Sequence, residues 1–216
     1  MVGDATMSGP EMLDVVDPAT GRVVATRTRA EVHARGDWHR VFHCLVVRPG
    51  AGSVVLQRRS RTKSAFAGLL DLSVTGHLSA GEEPLDGVRE YAEELGVAVD
   101  PASLVPLGTR LLADDAGEGR NREMVHVYLS PDDRALDTYR PAPGEVDELV
   151  EVTVDGLDHL LEHPDRTADA TAWAPGDAIR PVRIDRSDLV DGASGYWVLL
   201  AAMARRHLDG GGRLAI

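Results

Sequence analysis

The chain has 216 residues, 43% of them hydrophobic, which is enough for one substantial core but not for two large domains. No stretch approaches the run of about 20 apolar residues that crosses a membrane, and the acidic start, Met1 to Asp17, lacks the basic-then-apolar pattern of an export signal. A net charge of −12 and a single cysteine exclude broad electrostatic binding of nucleic-acid polymers and an internal disulfide, so a cytoplasmic setting is expected.

Residues 1–10 are expected to be disordered, 11–208 to form one domain, and 209–216 to be a flexible tail. Glu11 to Asp17 and Arg22 to Thr28 alternate as strands around the turn Pro18-Ala19-Thr20-Gly21, forming an N-terminal hairpin whose edge could pair across a homodimer. Arg29 to Arg35 reads as a short helix closed by Gly36. Val41 to Arg48 and Ser53 to Arg58 are apolar strands, with Cys44 a small core residue inside the first. A short strand over Asp71 to Thr75 and a loop over Gly76 to Glu83 lead to Pro84, well placed to begin a helix, and Gly96 supplies the stop.

Beyond that helix, Leu104 to Leu112 and Met124 to Ser130 are strands flanking the polar loop DDAGEGRNRE. Glu148 to Val154 is a further strand, and Leu157 to Glu162 a short helix. Pro164 to Asp185 shows little periodicity and reads as a long loop or lid. Ser194 caps a C-terminal helix that runs to Leu208. Strands and helices mixed without strict alternation indicate an α/β (α+β) fold, a mixed sheet with helices on its faces.

The helix after Pro84 carries the chemistry. Glu90, Glu93 and Glu94 lie at i, i+3 and i+4, so three carboxylates share one face. Hard oxygen ligands grouped this way are what Mg²⁺ or Mn²⁺ coordination requires, whereas in isolation the same cluster would be a solvated acidic face. Arg89 precedes the cluster, and Glu82 is positioned to hold it by a bidentate pair.

This segment, GHLSAGEEPLDGVREYAEELGV, resembles the Nudix box: Gly76, Glu82, Arg89-Glu90-Tyr91, Glu93-Glu94, Gly96 and Val97 match in type and order. Six residues rather than the family's seven separate Glu82 from Arg89, and the missing one falls beside Pro84 and Gly87. The flanks, LQRRSRTKSAFAGLLDLSVTGHLSAGE and EVHARGDWHRVFH, are similar to the Nudix branch related to isopentenyl-diphosphate isomerase. The resemblance implies an α/β/α sandwich around a mixed sheet. It also implies Mg²⁺ or Mn²⁺ held by Glu90, Glu94, Glu93 and the Thr75 carbonyl, and metal-dependent hydrolysis of a diphosphate linkage in a nucleoside diphosphate derivative or similar small organic diphosphate. Glu93 is the first candidate for general base and Glu123 the second; Arg89 and Glu82 complete the catalytic set. Arg58, Arg59, Arg61, His77 and Glu145 are weaker candidates for contacts to substrate.

Two rival readings remain. An isomerase-like enzyme is disfavoured because Thr75 stands where those enzymes carry a catalytic cysteine. A non-catalytic nucleotide-binding module would follow if the shortened box had lost activity. His33, His39 and His77 are partial counterparts of the isomerases' histidine metal ligands, the first two one residue closer together. They read foremost as histidines that hydrogen-bond within the fold or touch substrate, and secondarily as a second metal site. Recognition of the group beyond the diphosphate is expected in the loops Pro49 to Gly52, Ala113 to Arg122 and Pro164 to Asp185.

Overall fold

The stretch HRVFHCLVVR sends alternate side chains to opposite faces of a strand, and both sets are apolar enough to need cover. In the computed structural model, which describes residues 9–114, 120–212 and 214–216, this segment is β3 (His39–Arg48). Val41, Leu45 and Val47 enter one core, and Phe42, Cys44 and Val46 enter another on the opposite face. The first core is covered by α3 (Val154–Glu162) and α4 (Gly195–Leu208), through Leu157, Leu160, Trp197 and Leu200. The second is covered by α2 (Arg89–Leu95), through Tyr91 and Leu95. Each fully buried side chain of this size contributes roughly 1.5–3 kcal/mol. The result is helix, sheet, helix.

The sheet has eleven strands among the described residues, in the order β11-β10-β9-β4-β3-β1-β2, with β5 beside β4, β6 and β8 beside β3, and β7 beside β8. These are β1 (Met12–Val16), β2 (Val23–Thr28), β4 (Ser53–Arg59), β5 (Leu70–Asp71), β6 (Val74–His77), β7 (Val105–Asp114), β8 (Asn121–Pro131), β9 (Val146–Thr153), β10 (Thr167–Trp173) and β11 (Arg180–Asp185). β3 and β8 run parallel, His39 beside Glu123, whereas the other paired strands are antiparallel. The expected hairpin forms from β1 and β2, followed by α1 (Arg29–Arg35) with a Thr28 and Glu31 capping box.

Three expectations are corrected. Pro164 to Asp185 is no loop or lid: it holds the hairpin of β10 and β11, in which β10 sends the small Ala168, Ala170 and Ala172 inward and β11 sends Val182 and Ile184. The single strand expected over Asp71 to Thr75 is two, because Leu72 and Ser73 break it and β6 continues to His77. The C-terminal stretch expected as a free tail folds back, with Leu214 and Ile216 packed on the core and the Ile216 N–H donating to Leu107 at 2.9 Å. Of the region expected to be disordered, residues 1–8 lie outside the described residues, as do 115–119 of the polar loop. Among the described residues, no helix is long and apolar enough to cross a membrane.

Candidate active site

The strand, loop and helix from β6 to α2 build the centre of the site. Pro84 starts a 3₁₀ turn over Pro84–Val88, which hands over to α2 at Arg89. A 3₁₀ turn winds three residues where an α-turn takes 3.6, so the box absorbs its missing residue there without rotating the carboxylate face. Gly87 permits the tight fit, since a Cβ at that position would lie 2.5 Å from the Phe42 Cβ. The loop before it is tied to β1: buried Asp14 accepts from the Gly81 N–H at 2.8 Å and pairs with Arg40 at 3.1 Å, and the Ala80 N–H donates to Met12 at 2.8 Å. The N-terminal hairpin therefore positions the box.

Arg89 is the bracket. Its Nε and Nη2 donate to the two oxygens of Glu82 at 2.8 and 3.2 Å, its Nη1 to Glu90 at 2.7 Å and Glu93 at 2.9 Å, and its Nη2 also to the His77 carbonyl at 2.9 Å. The shortened spacing thus keeps the expected Glu82 pair. The Glu82 hydrogen bond, then the surrounding carboxylates, hold the guanidinium more firmly protonated than usual. Burial works to raise the Glu82 pKa, but the Arg89 and Ser79 donors outweigh it and the net shift is downward.

Glu90 and Glu94 are 8% and 6% exposed, which is unusual for carboxylates. Glu94 Oε2 accepts from Gln57 Nε2 and from the Thr75 N–H, both at 3.0 Å. Glu90 lies against Gly76 so closely that a Cβ there would sit 2.2 Å from its carboxyl group. Burial pushes the Glu90 carboxyl up to about 7, with Glu93 adding and Arg89 opposing; burial pushes Glu94 to about 8, with Glu90 adding. Two crowded, buried carboxylates beside the backbone of β6 are a donor set that a hard divalent cation fits, because it supplies the counter-charge their surroundings lack. Glu93, by contrast, is largely exposed at the cavity edge.

A second cluster stands next to it. His33 on α1, His39 on β3 and His77 on β6 each offer a ring nitrogen within 4.8 Å of the others. The His39 Nδ1 faces the Asp37 carbonyl at 3.1 Å, as the intramolecular reading expects. Yet His39 Nε2, His77 Nε2 and the neighbouring Asn121 Oδ1 are buried with no partner. Glu123, opposite His39, accepts from Asn121 Nδ2 at 2.7 Å. Burial holds His77 well below the usual imidazole range and lowers His33 and His39 too, so all three rings are neutral near pH 7. Three neutral imidazoles with a carboxylate beside them also fit a divalent metal. Glu123 therefore belongs with the histidines.

Both clusters open on one cavity of about 880 Å³. Arg59, Glu145, His77, Thr75, Glu93 and Glu123 line it as expected. Arg58 does not: it donates to Glu148 at 2.6 Å and to the Gly68 carbonyl at 3.0 Å, locking loops instead of facing substrate. Arg61 is likewise absent from the lining, and Arg59 is held by Asp71 at 3.0 Å. Glu145 pairs with Lys63. Of the three recognition loops expected, only Ala113 to Arg122 reaches the cavity among the described residues, through Ala113, Asp114 and Asn121. Sequence reasoning missed Lys63, His43 and Tyr196, the last two joined by a 3.2 Å contact from Nδ1 to the phenol oxygen. His43 and Tyr196 lie on elements whose apolar pattern points to core, Lys63 lies in the polar loop after β4, and only the fold brings them to the cavity. Cys44 is core as expected: it is buried, beside the Tyr91 hydroxyl at 3.3 Å, and burial pushes its thiol to about 12.

Comparison with known proteins agrees with this geometry. Residues 37–174 match the NUDIX domain family. The chain is 34% identical over 155 residues to an uncharacterised Nudix hydrolase of Clostridium acetobutylicum, covering 71% of this chain and 75% of that protein. It is 31% identical over 166 residues to an isopentenyl-diphosphate Δ-isomerase of Brevibacterium linens, covering 76% and 85%. Among solved structures, DR0079 from Deinococcus radiodurans superposes with a TM-score of 0.52 at 26% identity, covering 70% of this chain and 87% of that one.

Proposed function

The chain belongs to the Nudix hydrolase family, and from that premise we propose that it cleaves the diphosphate linkage of a nucleoside diphosphate derivative, or a similar organic diphosphate, with Mg²⁺ or Mn²⁺. The observation that carries this reading is the pair of buried carboxylates, Glu90 and Glu94, set against Thr75 and Gly76 and braced by Arg89. Glu90 and Glu94, with Glu93 and the Thr75 carbonyl, would hold the ion. When bound, it supplies positive charge against the phosphoryl oxygens and Lewis acidity toward water.

The chain's own groups do the rest. Arg89 keeps Glu90 and Glu93 apart and oriented while its other edge fixes Glu82 and the His77 carbonyl. Glu93, exposed at the cavity, takes the proton of the attacking water; Glu123 is the alternative base. The water oxygen bonds to phosphorus, the bridging P–O bond breaks, and two phosphate products leave. Arg59 and Lys63 present positive charge to the same cavity and so to the substrate's phosphates. His33, His39 and His77 would hold a second divalent ion beside Glu123, a reading favoured by the unpartnered buried Nε2 atoms of His39 and His77.

The missing thiol argues against the isomerase rival: Thr75 stands in its place, and Cys44 is buried with its pKa raised. Turnover on a diphosphate panel separates the readings. With Mg²⁺ or Mn²⁺, nucleoside diphosphate derivatives should be hydrolysed, hydrolysis should stop in EDTA, and isopentenyl diphosphate should not be converted to its dimethylallyl isomer. Tight nucleotide binding without turnover would favour the binding module, and allylic isomerisation would overturn the hydrolase reading.

A further inference from the structure

Among the described residues, the cationic side chains that line the cavity are Arg29, Arg59, Lys63 and Arg89, and each already faces a carboxylate. Lining carboxylates outnumber them more than two to one, so an entering diphosphate finds no uncommitted positive charge there and must displace an acid. The four pairs differ in how readily they yield one. Arg89 is fixed by five hydrogen bonds. The Asp71 side chain is 12% exposed and also accepts from the Leu72 N–H at 2.9 Å, so it stays on Arg59. Arg29 is 53% exposed beside Glu11, so water screens it and a phosphate gains little from it.

Lys63 and Glu145 are built differently. The Lys63 side chain is 27% exposed and that of Glu145 46%, so the ammonium sits in the wall while its carboxylate faces water. Among the described residues that carboxylate meets no second donor. The backbone beneath both is stitched: the Ser60 N–H donates to the Glu145 carbonyl at 2.9 Å, the Lys63 N–H to Ser60 at 3.1 Å, and the Arg61 N–H to Asp147 Oδ2 at 3.1 Å. Glu145 therefore leaves by side-chain rotation, with no loop movement. An ammonium is a point charge without a planar fork, so it exchanges a carboxylate oxygen for a phosphoryl oxygen at no geometric loss.

We propose that Glu145 is a displaceable counter-ion on Lys63: it holds the ammonium until substrate binds, a phosphoryl oxygen takes its place, and it recaptures Lys63 as the phosphate products leave. This rests on the diphosphate-hydrolase reading above and gives Glu145 a part in release instead of in metal binding or proton transfer. A diphosphate held at its other phosphoryl group outcompetes the carboxylate, whereas a product phosphate, once free, faces a rival tethered at high effective concentration. The test is calorimetry of methylenediphosphonate binding to the full chain with Mg²⁺. Glu145→Gln, which keeps the shape and loses the charge, should bind about threefold to fivefold tighter than wild type, the scale of a partly exposed ion pair. Lys63→Met should bind about tenfold weaker, and in that background Glu145→Gln should add no gain. A carboxylate acting through general charge alone would give the same gain in both backgrounds. Lys63 is also the chain's only lysine, so ¹⁵N-lysine labelling yields one side-chain ammonium signal. That signal should move when methylenediphosphonate is added and in Glu145→Gln. Unchanged or weaker binding by Glu145→Gln, an equal gain in both backgrounds, or a lysine signal that ignores the ligand overturns the exchange and leaves the diphosphate site standing. If methylenediphosphonate binds none of these proteins, the diphosphate reading fails and the exchange fails with it.

Discussion

Glu94→Gln and Glu90→Gln should each lower metal-dependent turnover by about a thousandfold or more, close to 4 kcal/mol of barrier, while leaving the fold intact. Each change removes a charged oxygen ligand but almost no volume. Glutamine keeps a carbonyl oxygen, so the Gln57 and Thr75 donors at position 94 still find an acceptor. Because burial has raised the Glu94 pKa to about 8, the neutral amide resembles the state this side chain adopts near pH 7 without metal. Thermal stability in EDTA should therefore stay close to that of the wild type. Turnover and melting are measured on the same preparations. Wild-type turnover by either variant at saturating Mg²⁺ would show that the metal assignment is wrong.

Arg89→Ala should cost about a hundredfold in turnover, roughly 2.7 kcal/mol, and Arg89→Lys should recover little of it. One planar guanidinium donates to Glu82, Glu90, Glu93 and the His77 carbonyl at once, and an ammonium cannot reproduce that fork. Without it, Glu90 and Glu93 repel each other and Glu82 loses the pair that fixes the loop onto α2. The loss should appear in kcat and in Mg²⁺ affinity together, with circular dichroism unchanged. An Arg89→Lys protein as active as wild type would show that Arg89 serves as a bulk charge only.

The spacing of acids and glycines made the carboxylate helix readable. The i, i+3, i+4 geometry follows from helix period alone, and Gly76 and Gly87 mark places where another side chain comes too near for a Cβ. The shortened box keeps its expected Glu82 pair, but the 3₁₀ turn before α2 that lets it do so was not readable from the spacing. The hairpin of β10 and β11 was missed because the inward residues of β10 are alanines, which give a weak alternating signal, and because Pro181 argues against a strand at β11. That proline is tolerated because β11 lies at the sheet edge. The histidine cluster needed the fold as well: His33, His39 and His77 come from a helix and two strands, and only the pairing of β3 with β6 and the packing of α1 bring them together.

The central claim, that Glu90 and Glu94 hold the metal, makes a thermodynamic demand. Both carboxyls titrate well above the ordinary value of 4.5, at about 7 and about 8, so the folded metal-free protein binds more protons than the unfolded chain across that range. Metal-free stability should therefore fall as pH rises through it. The histidines with lowered pKa work in the opposite sense below 6.5, where the unfolded chain takes up protons they refuse, leaving pH 6.5 to 8 as the window in which the carboxylates act alone. A divalent ion binding at Glu90 and Glu94 must expel their protons, whereas one binding at the neutral His33, His39 and His77 expels none. Calorimetry of Mg²⁺ binding at pH 7, in two buffers of different ionisation enthalpy, counts those protons. About one proton released per ion by the wild type, and far less by Glu94→Gln, is the result expected; Mg²⁺ binding without proton release, or equal release from both proteins, would contradict it.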